Sequence, residues 1–203
     1  MVRILRRSGA LIAISDDWRF LVALKDRWLQ PQELEDLGAL RNRIRWEQSV
    51  AARVLLKRLI QRKFQTKALS GRIFRKTSGG LSFRGGKRRV CLSVSHSEGW
   101  IAAAISDRAV GIDVQKRRPL KDDRGLFRRI AHKGDLVSPR LRTLDLWALK
   151  EAVMKAHGRG LISQVSLMQR KGLQFGGRLH RSHFNAELIR ISRDMALAWA
   201  QRL

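Results

Sequence analysis

An aspartate and a glutamine stand two residues apart in the segment Gly111–Gln115, and the residues beside them are apolar or glycine. If the segment is a β-strand, Asp113 and Gln115 point to one face while Ile112 and Val114 point to the other. Two oxygen-bearing side chains on one face of a strand form part of the ligand set that a hard cation prefers. The alternative is an edge-strand aspartate that faces solvent.

A second group of polar residues recurs every four positions in a helix predicted over Leu144–Ala156. Trp147, Glu151 and Lys155 lie along one side of this helix. The opposite side is apolar and carries Leu146, Leu149, Val153 and Ala156. Taken alone, Glu151 and Lys155 are better explained as an ion pair on the helix surface, worth about 0.2–0.5 kcal/mol.

The third candidate is the hydroxyl-rich segment Ser93–Ser97, which ends a predicted strand and enters a turn predicted at His96–Gly99. Ser95 and His96 at such a corner offer hydrogen-bond donors to a phosphate group. The alternative for His96 is a turn histidine exposed to solvent.

The elements that must position these residues alternate between helix and strand, and a helix followed by a hairpin recurs about 96 residues later. This weak repeat predicts two similar α/β lobes that meet near residue 107. The predicted elements are a strand at Ala10–Ser15, an acidic turn opened by Pro31, helices at Trp46–Arg62 and Leu144–Ala156, strands at Val90–Ser95, Trp100–Ile105 and Ala109–Val114, and a hairpin of Ala186–Ser192 with Met195–Ala200.

The charge of the chain is strongly positive, with 43 Lys and Arg against 17 Asp and Glu and a net charge of +26. Such a field attracts polyanions, so a nucleic-acid-binding protein is an alternative, supported by Arg41, Arg43, Arg45 and the cluster Lys87–Arg89. No helix-turn-helix, zinc-finger or RNP-like signature accompanies this charge. The single cysteine excludes a disulfide within the chain. No apolar run approaches the roughly 18 residues of a membrane span, which predicts a cytoplasmic protein.

The order and spacing of the three segments together resemble the 4'-phosphopantetheinyl transferases of the Sfp and AcpT type. In that family the segments read approximately (N/V)-(I/V)-S-H-S, G-(I/V/C)-D-(I/V)-E and W-(S/T/A)-x-K-E-(A/S)-x-x-K. The corresponding segments here are Val94–Ser97, Gly111–Gln115 and Trp147–Lys155. The resemblance implies an α+β fold of two similar α/β lobes related by a pseudo-twofold axis. Residues 1–106 would form an N-terminal lobe that contacts the coenzyme A nucleotide, and residues 107–203 a lobe with the metal and catalytic residues.

The activity that the resemblance implies is transfer of the 4'-phosphopantetheine of coenzyme A to a serine of an acyl or peptidyl carrier protein, which releases adenosine 3',5'-bisphosphate. Asp113 and Glu151 would bind Mg²⁺, with Gln115 as a third ligand. Glu151 would also accept the proton of the serine hydroxyl, directly or through water, and Lys155 would contact the phosphates of coenzyme A.

The resemblance also assigns coenzyme A contacts to Ser95, His96, Arg45 and Arg53, with His96 at the 3'-phosphate. An acidic carrier protein would be attracted by the positive charge of this chain. A protein with two such lobes is expected to act as a monomer.

Three positions depart from the family pattern. Gln115 stands where many relatives have a second glutamate, and a neutral ligand predicts weaker metal binding. The loop Ser78–Phe83 replaces a Gly-Lys-Pro segment, and the stretch Ile130–Asp135 replaces an acidic residue that follows an aromatic–serine pair. These departures leave open a relative that binds coenzyme A or a carrier protein without efficient turnover.

Overall fold

The computed structural model describes residues 1–64, 70–76, 79–85 and 90–203, which form two compact units, Met1–Arg108 and Ala109–Leu203. Within the loop singled out from the sequence, Ser78 lies outside the described residues, as does the basic cluster Lys87–Arg89. Across the described residues, every helix is too short or too polar to serve as a membrane span.

The described residues of the first unit form a six-stranded antiparallel sheet and four helices. In spatial order the strands run β1-β2-β6-β5-β4-β3. The strands are β1 (Val2–Arg7), β2 (Ala10–Ser15), β3 (Arg72–Lys76), β4 (Gly79–Arg84), β5 (Cys91–Ser97) and β6 (Trp100–Ser106). The helices are α1 (Trp18–Ala23), α2 (Lys25–Trp28), α3 (Pro31–Gly38) and α4 (Arg43–Phe64).

Helix α4 supplies most of the helical side of this unit's core. Val50, Val54 and Leu55 are fully buried in it, together with residues of the central strands β2 and β6. Two fully buried side chains in this unit are charged, Lys57 of α4 and Glu33 of α3. They form an ion pair of 2.8 Å with each other. Glu33 in turn accepts a hydrogen bond of 2.8 Å from the backbone N–H of Ile73, which ties α3 to β3.

The second unit repeats the plan of a helix packed on an antiparallel sheet, with strand order β7-β11-β10-β9-β8. Helix α6 packs on β7, β11, β10 and β9. The strands are β7 (Val110–Lys116), β8 (Ser166–Gln169), β9 (Gln174–Leu179), β10 (Ser182–Ser192) and β11 (Met195–Arg202). The helices are α5 (Asp123–Ile130), α6 (Thr143–His157) and a 3-10 turn at Ile162–Gln164.

The predicted α+β class is confirmed, and most predicted elements are present with ends extended by a few residues. Helix α6 ends where Gly158 adopts a left-handed conformation with φ of 89°, which glycine adopts without steric cost. The hairpin predicted at Ala186–Ser192 and Met195–Ala200 forms β10 and β11, and their register shifts near Arg190.

Two local predictions are wrong. The acidic segment after Pro31 is helix α3 rather than a turn, because proline suits the first helical position and the Glu33 side chain accepts the orphan backbone N–H of Gln30 at 2.9 Å. His96 lies in β5 rather than in the turn, since its backbone pairs with Ile101 of β6. The turn itself consists of Glu98 and Gly99, both at positive φ.

Candidate functional site

The backbones of β7 and α6 come into close contact at Gly111. A Cβ atom built on Gly111 would lie 1.9 Å from the carbonyl oxygen of Ala152 and 2.6 Å from the backbone nitrogen of Ala156. Only glycine leaves room for this approach. It brings the polar face of β7 beside the side of α6 that carries Glu151 and Lys155.

Replacement of Gly111 by alanine is expected to destabilise the protein by about 1–3 kcal/mol, because the added methyl group forces β7 and α6 apart. The matched control is Gly38→Ala, whose added Cβ meets no atom within 4 Å. Urea unfolding of the two variants measures the difference. A Gly111→Ala variant as stable as the Gly38→Ala variant would contradict the inferred contact.

Asp113 is the best-anchored residue of the candidate site. Its side chain is buried, and Lys155 Nζ donates to its Oδ1 at 2.7 Å while Gln115 Nε2 donates to its Oδ2 at 2.9 Å. Lys155 Nζ also donates to the carbonyl oxygen of Ile112 at 3.1 Å. These bonds fix both the carboxylate of Asp113 and the ammonium of Lys155, which lies on the neighbouring helix. The hydrogen bond between Gln115 and Asp113 agrees with the prediction that both side chains lie on the same face of β7.

Glu151 lies one helical turn before Lys155 and is half-buried. Burial raises the pKa of the Glu151 carboxyl, the Lys155 charge opposes this rise, and the Asp113 charge adds to it. Among the described residues, no hydrogen bond or ion pair to the Glu151 carboxylate is present. The electrostatic influence of Asp113 and Lys155 indicates that all three charges share one site. A carboxylate without a protein donor and with a raised pKa is suited to accept a proton.

The raised pKa of Glu151 has a consequence for stability in metal-free buffer. Below the ordinary glutamate pKa of 4.5, Glu151 is protonated in both the folded and the unfolded chain. As the pH rises further, the unfolded chain releases this proton first, so ionisation of Glu151 reduces the free energy of unfolding. We therefore expect Glu151→Gln to be more stable than the wild type at pH 8, with the difference vanishing near pH 4. Urea unfolding in EDTA at both pH values tests this, and a variant less stable at pH 8 would contradict it.

The donor set of this site fits Mg²⁺. Among the residues that the structure describes, no three His, Cys, Asp or Glu side chains form a metal-binding group. Mg²⁺ needs fewer protein ligands, because it usually binds one or two carboxylates and completes its octahedron with water and substrate phosphates. Asp113 and Glu151 would supply two carboxylates to such an ion, and Gln115 an amide oxygen.

Helix α6 carries a further buried charge, on the first lysine of the motif Trp147–Lys155, for which no role was predicted. Lys150 is fully buried, and its Nζ donates to Asp135 at 2.7 Å and to the carbonyl oxygens of Ile130 at 2.8 Å and Val165 at 2.7 Å. Asp135 also accepts a hydrogen bond of 2.9 Å from the backbone N–H of Leu167. This network joins α6 to the segments after α5 and before β8. Asp135, the acidic residue that ends the stretch Ile130–Asp135, therefore holds the lysine next to Glu151.

The other four predicted site residues lie in the first unit. Ser95 is buried on β5 and the next residue, His96, is exposed. Arg45 and Arg53 lie eight residues apart on α4. Arg45 is exposed, and its backbone N–H bonds to Asn42 at 3.0 Å. Arg53 is only 5% exposed, so it does not belong to an exposed basic face of the helix.

Comparison with known proteins agrees with these observations. Residues 109–199 match the family model of the 4'-phosphopantetheinyl transferase superfamily. The chain is 28% identical over 128 residues to the 4'-phosphopantetheinyl transferase gsp of Aneurinibacillus migulanus, in an alignment that covers 57% of this chain and 52% of the relative. It is also 28% identical over 75 residues to the 4'-phosphopantetheinyl transferase Sfp of Bacillus subtilis strain 168, covering 34% of each chain.

The chain thus spans about half or less of the length of these curated relatives. The matched region begins one residue before β7 and ends within β11, so it contains Asp113, Gln115, Glu151 and Lys155. Residues 109–199 are therefore similar to the 4'-phosphopantetheinyl transferase superfamily, in agreement with the resemblance that the motifs of β7 and α6 carry.

Proposed function

We propose that this protein transfers the 4'-phosphopantetheine group of coenzyme A to a serine of a carrier protein. The observation that carries the proposal is the charged group on β7 and α6, where the buried Asp113–Lys155 ion pair adjoins a Glu151 whose pKa is raised. This group lies inside the region that matches the transferase family. Its chemistry suits a phosphoryl transfer, which requires a base for the hydroxyl and positive charge for the phosphates.

In the proposed reaction, Glu151 accepts the proton of the acceptor serine, directly or through one water molecule. The serine oxygen attacks the β-phosphorus of coenzyme A, and the bond from that phosphorus to the bridging pyrophosphate oxygen breaks. Adenosine 3',5'-bisphosphate leaves with the bonding electrons. Lys155 holds positive charge beside the phosphates, and Asp113 fixes the position of Lys155 through the 2.7 Å bond. Mg²⁺, held by Asp113 and Glu151 with Gln115, would supply further positive charge to the pyrophosphate oxygens.

The nucleotide end of coenzyme A is assigned to the first unit in this proposal. Ser95 and His96 at the end of β5 would contact the nucleotide, with His96 at the 3'-phosphate. Arg45 and Arg53 of α4 would contribute positive charge toward the phosphates. Residues 1–106 would thus bind the nucleotide, and residues 107–203 would carry the catalytic groups.

The second substrate would be an acidic carrier protein. The net charge of +26 supports this part of the proposal, because opposite charge accelerates the encounter of two proteins. The proposal retains the cytoplasmic location and the monomeric state predicted from the sequence.

The reaction is tested by incubating the protein with coenzyme A, Mg²⁺ and an apo carrier protein and by measuring adenosine 3',5'-bisphosphate chromatographically. We expect one molecule of the bisphosphate per carrier protein modified, and none after addition of EDTA. Coenzyme A binding without release of the bisphosphate, across several carrier proteins, would instead identify a weakened relative. If coenzyme A does not bind and no bisphosphate is released, the proposal is contradicted. Nucleic-acid binding would then be the favoured explanation of the basic charge.

A further inference from the structure

Two histidines of the second unit lie beside each other where the end of helix α6 meets the β9–β10 hairpin. His157 is the last residue of α6, and His180 begins the short connection His180–Arg181 between β9 and β10. The centres of their rings are 5.6 Å apart, and the ring planes are tilted by 52°. Neither histidine takes part in the proposed transfer reaction, so the site on β7 and α6 does not explain this contact.

The His157 ring is fixed in one orientation. Its Nδ1 lies 2.9 Å from the carbonyl oxygen of Arg159, and a carbonyl oxygen can only accept, so Nδ1 carries a proton. In the neutral ring, the lone pair of Nε2 is then the one that can bind a metal ion. The ring also packs edge-on against the buried Phe184, with ring centres 6.2 Å apart. Metal-binding histidines are oriented in the same way, by donation of the second ring N–H to a carbonyl oxygen or a carboxylate.

The backbone of His180 adopts a conformation that favours glycine. Its φ is 53°, in the left-handed region, at the first position of a hairpin connection. The other described non-glycine residues with positive φ, Ser8 and Glu98, are each followed by a glycine that also has positive φ, whereas His180 is followed by arginine. Strained backbone of this kind clusters at ligand-binding and active sites, and here it places an imidazole beside His157.

The separation of the two rings suits a shared metal ion. An imidazole nitrogen binds Zn²⁺ at about 2.0–2.1 Å, so the centres of two rings on one tetrahedral ion lie roughly 5 Å apart. A small adjustment of the two side chains closes the difference from the observed 5.6 Å.

The electrostatics of this end of the helix also favour a cation. His157 lies in the last turn of a 15-residue helix, whose C-terminal end carries partial negative charge. The charges of Arg159 and Arg181 oppose a bound cation, but both side chains are exposed, so water screens them. The helix end and the two neutral imidazoles therefore determine the preference of the site.

We propose that His157 and His180 bind a divalent transition-metal ion, with Zn²⁺ as the representative of its class. Imidazole suits Zn²⁺, Ni²⁺ and Cu²⁺, whereas Mg²⁺ prefers oxygen ligands, so the site differs chemically from the one that suits Mg²⁺. Among the described residues, no third His, Cys, Asp or Glu joins the pair. Water completes the coordination, so the ion is held less tightly than at a structural site with four protein ligands. The bound ion links the last turn of α6, which carries Lys155, to the β9–β10 hairpin.

The proposal is tested by isothermal titration of the full chain, without an affinity tag, with Zn²⁺ in excess Mg²⁺. The Mg²⁺ competes for the carboxylates of the site on β7 and α6. His157→Gln and His180→Gln should each weaken Zn²⁺ binding by about tenfold or more, because loss of outer-shell partners alone costs about 10–100-fold. The matched control is His183→Gln, an exposed position on β10 next to the inward-facing Phe184 and therefore on the opposite face of the sheet.

A further variant, His180→Gly, separates metal binding from folding. Glycine suits a φ of 53°, so in EDTA this variant should unfold at a temperature no lower than that of the wild type. Zn²⁺ should raise the unfolding temperature of the wild type and of His183→Gln, because a ligand that binds the folded chain stabilises it. It should not raise that of His180→Gly. If the histidine pair serves packing alone, the variants will be less stable in EDTA and will respond to Zn²⁺ as the wild type does.

The proposal is overturned if the wild type binds no Zn²⁺, or if His157→Gln and His180→Gln bind it as tightly as His183→Gln. Zn²⁺ binding that excess Mg²⁺ abolishes would place the ion at the carboxylates of β7 and α6 and would equally contradict the proposal. These measurements require neither coenzyme A nor a carrier protein, so this proposal and the proposed transfer reaction fail separately.

Discussion

Glu151→Gln is expected to lower the rate of phosphopantetheine transfer by about 10²-fold or more, while the protein remains folded. The amide cannot accept the proton of the acceptor serine, and it removes one of the two carboxylates that suit Mg²⁺. The fold should persist because Glu151 forms no hydrogen bond or ion pair with the described residues. Initial rates of holo-carrier formation at saturating coenzyme A measure the effect.

The matched control for this prediction is Glu35→Gln, which makes the same chemical change at an exposed position on α3. We expect the control to retain the wild-type rate. If both variants keep the wild-type rate, Glu151 is not the base. A loss of activity accompanied by a loss of stability at pH 8 would instead indicate a structural role for Glu151.

Lys150→Met is expected to reduce the free energy of unfolding by about 3–5 kcal/mol. The substitution leaves the carboxylate of Asp135 without its cation and removes the bonds from Lys150 to the Ile130 and Val165 carbonyl oxygens. Two backbone N–H donors, from His132 and Leu167, still bond to Asp135, which favours the lower end of this range. Urea unfolding at neutral pH measures the change.

Two further variants separate the buried charge from the loss of side-chain packing. Lys171→Met removes a lysine at an exposed position and should change stability by no more than about 0.5 kcal/mol. Addition of Asp135→Asn to Lys150→Met should restore part of the lost stability, because no uncompensated charge remains. A double variant less stable than Lys150→Met alone would show that the carboxylate itself, rather than its missing partner, determines the effect.

The helices and strands whose hydrophobic pattern is regular could be predicted from the sequence. Helix α6 and strand β7 follow from their apolar periodicity, and alternation along β7 correctly places Asp113 and Gln115 on one face. Strands β1, β3, β4, β8 and β9 were not predicted, because arginines, glycines and serines interrupt their patterns. Pairing with a neighbouring strand, rather than local preference, determines their conformation.

The long-range pairs of charges could not be predicted from spacing. Lys150 lies four residues after Leu146 and three before Val153, so its position on the apolar side of α6 was a signal of burial. Its partner Asp135 lies in a loop, and only the tertiary fold brings the two together. The burial of Arg53 could not be predicted from spacing either, because the arginines that surround it lie on β3 and β4, which are distant in sequence.

The central claim is that the charged group on β7 and α6 modifies a serine of a carrier protein, and intact-protein mass spectrometry of an apo carrier protein tests it most directly. With coenzyme A and Mg²⁺, the wild type should add one phosphopantetheine group to the carrier. The addition should be abolished when the acceptor serine is replaced by alanine, and strongly reduced at equal incubation time with Glu151→Gln. An unmodified carrier with the wild type, or equal modification by Glu151→Gln and the wild type at early times, would contradict the account.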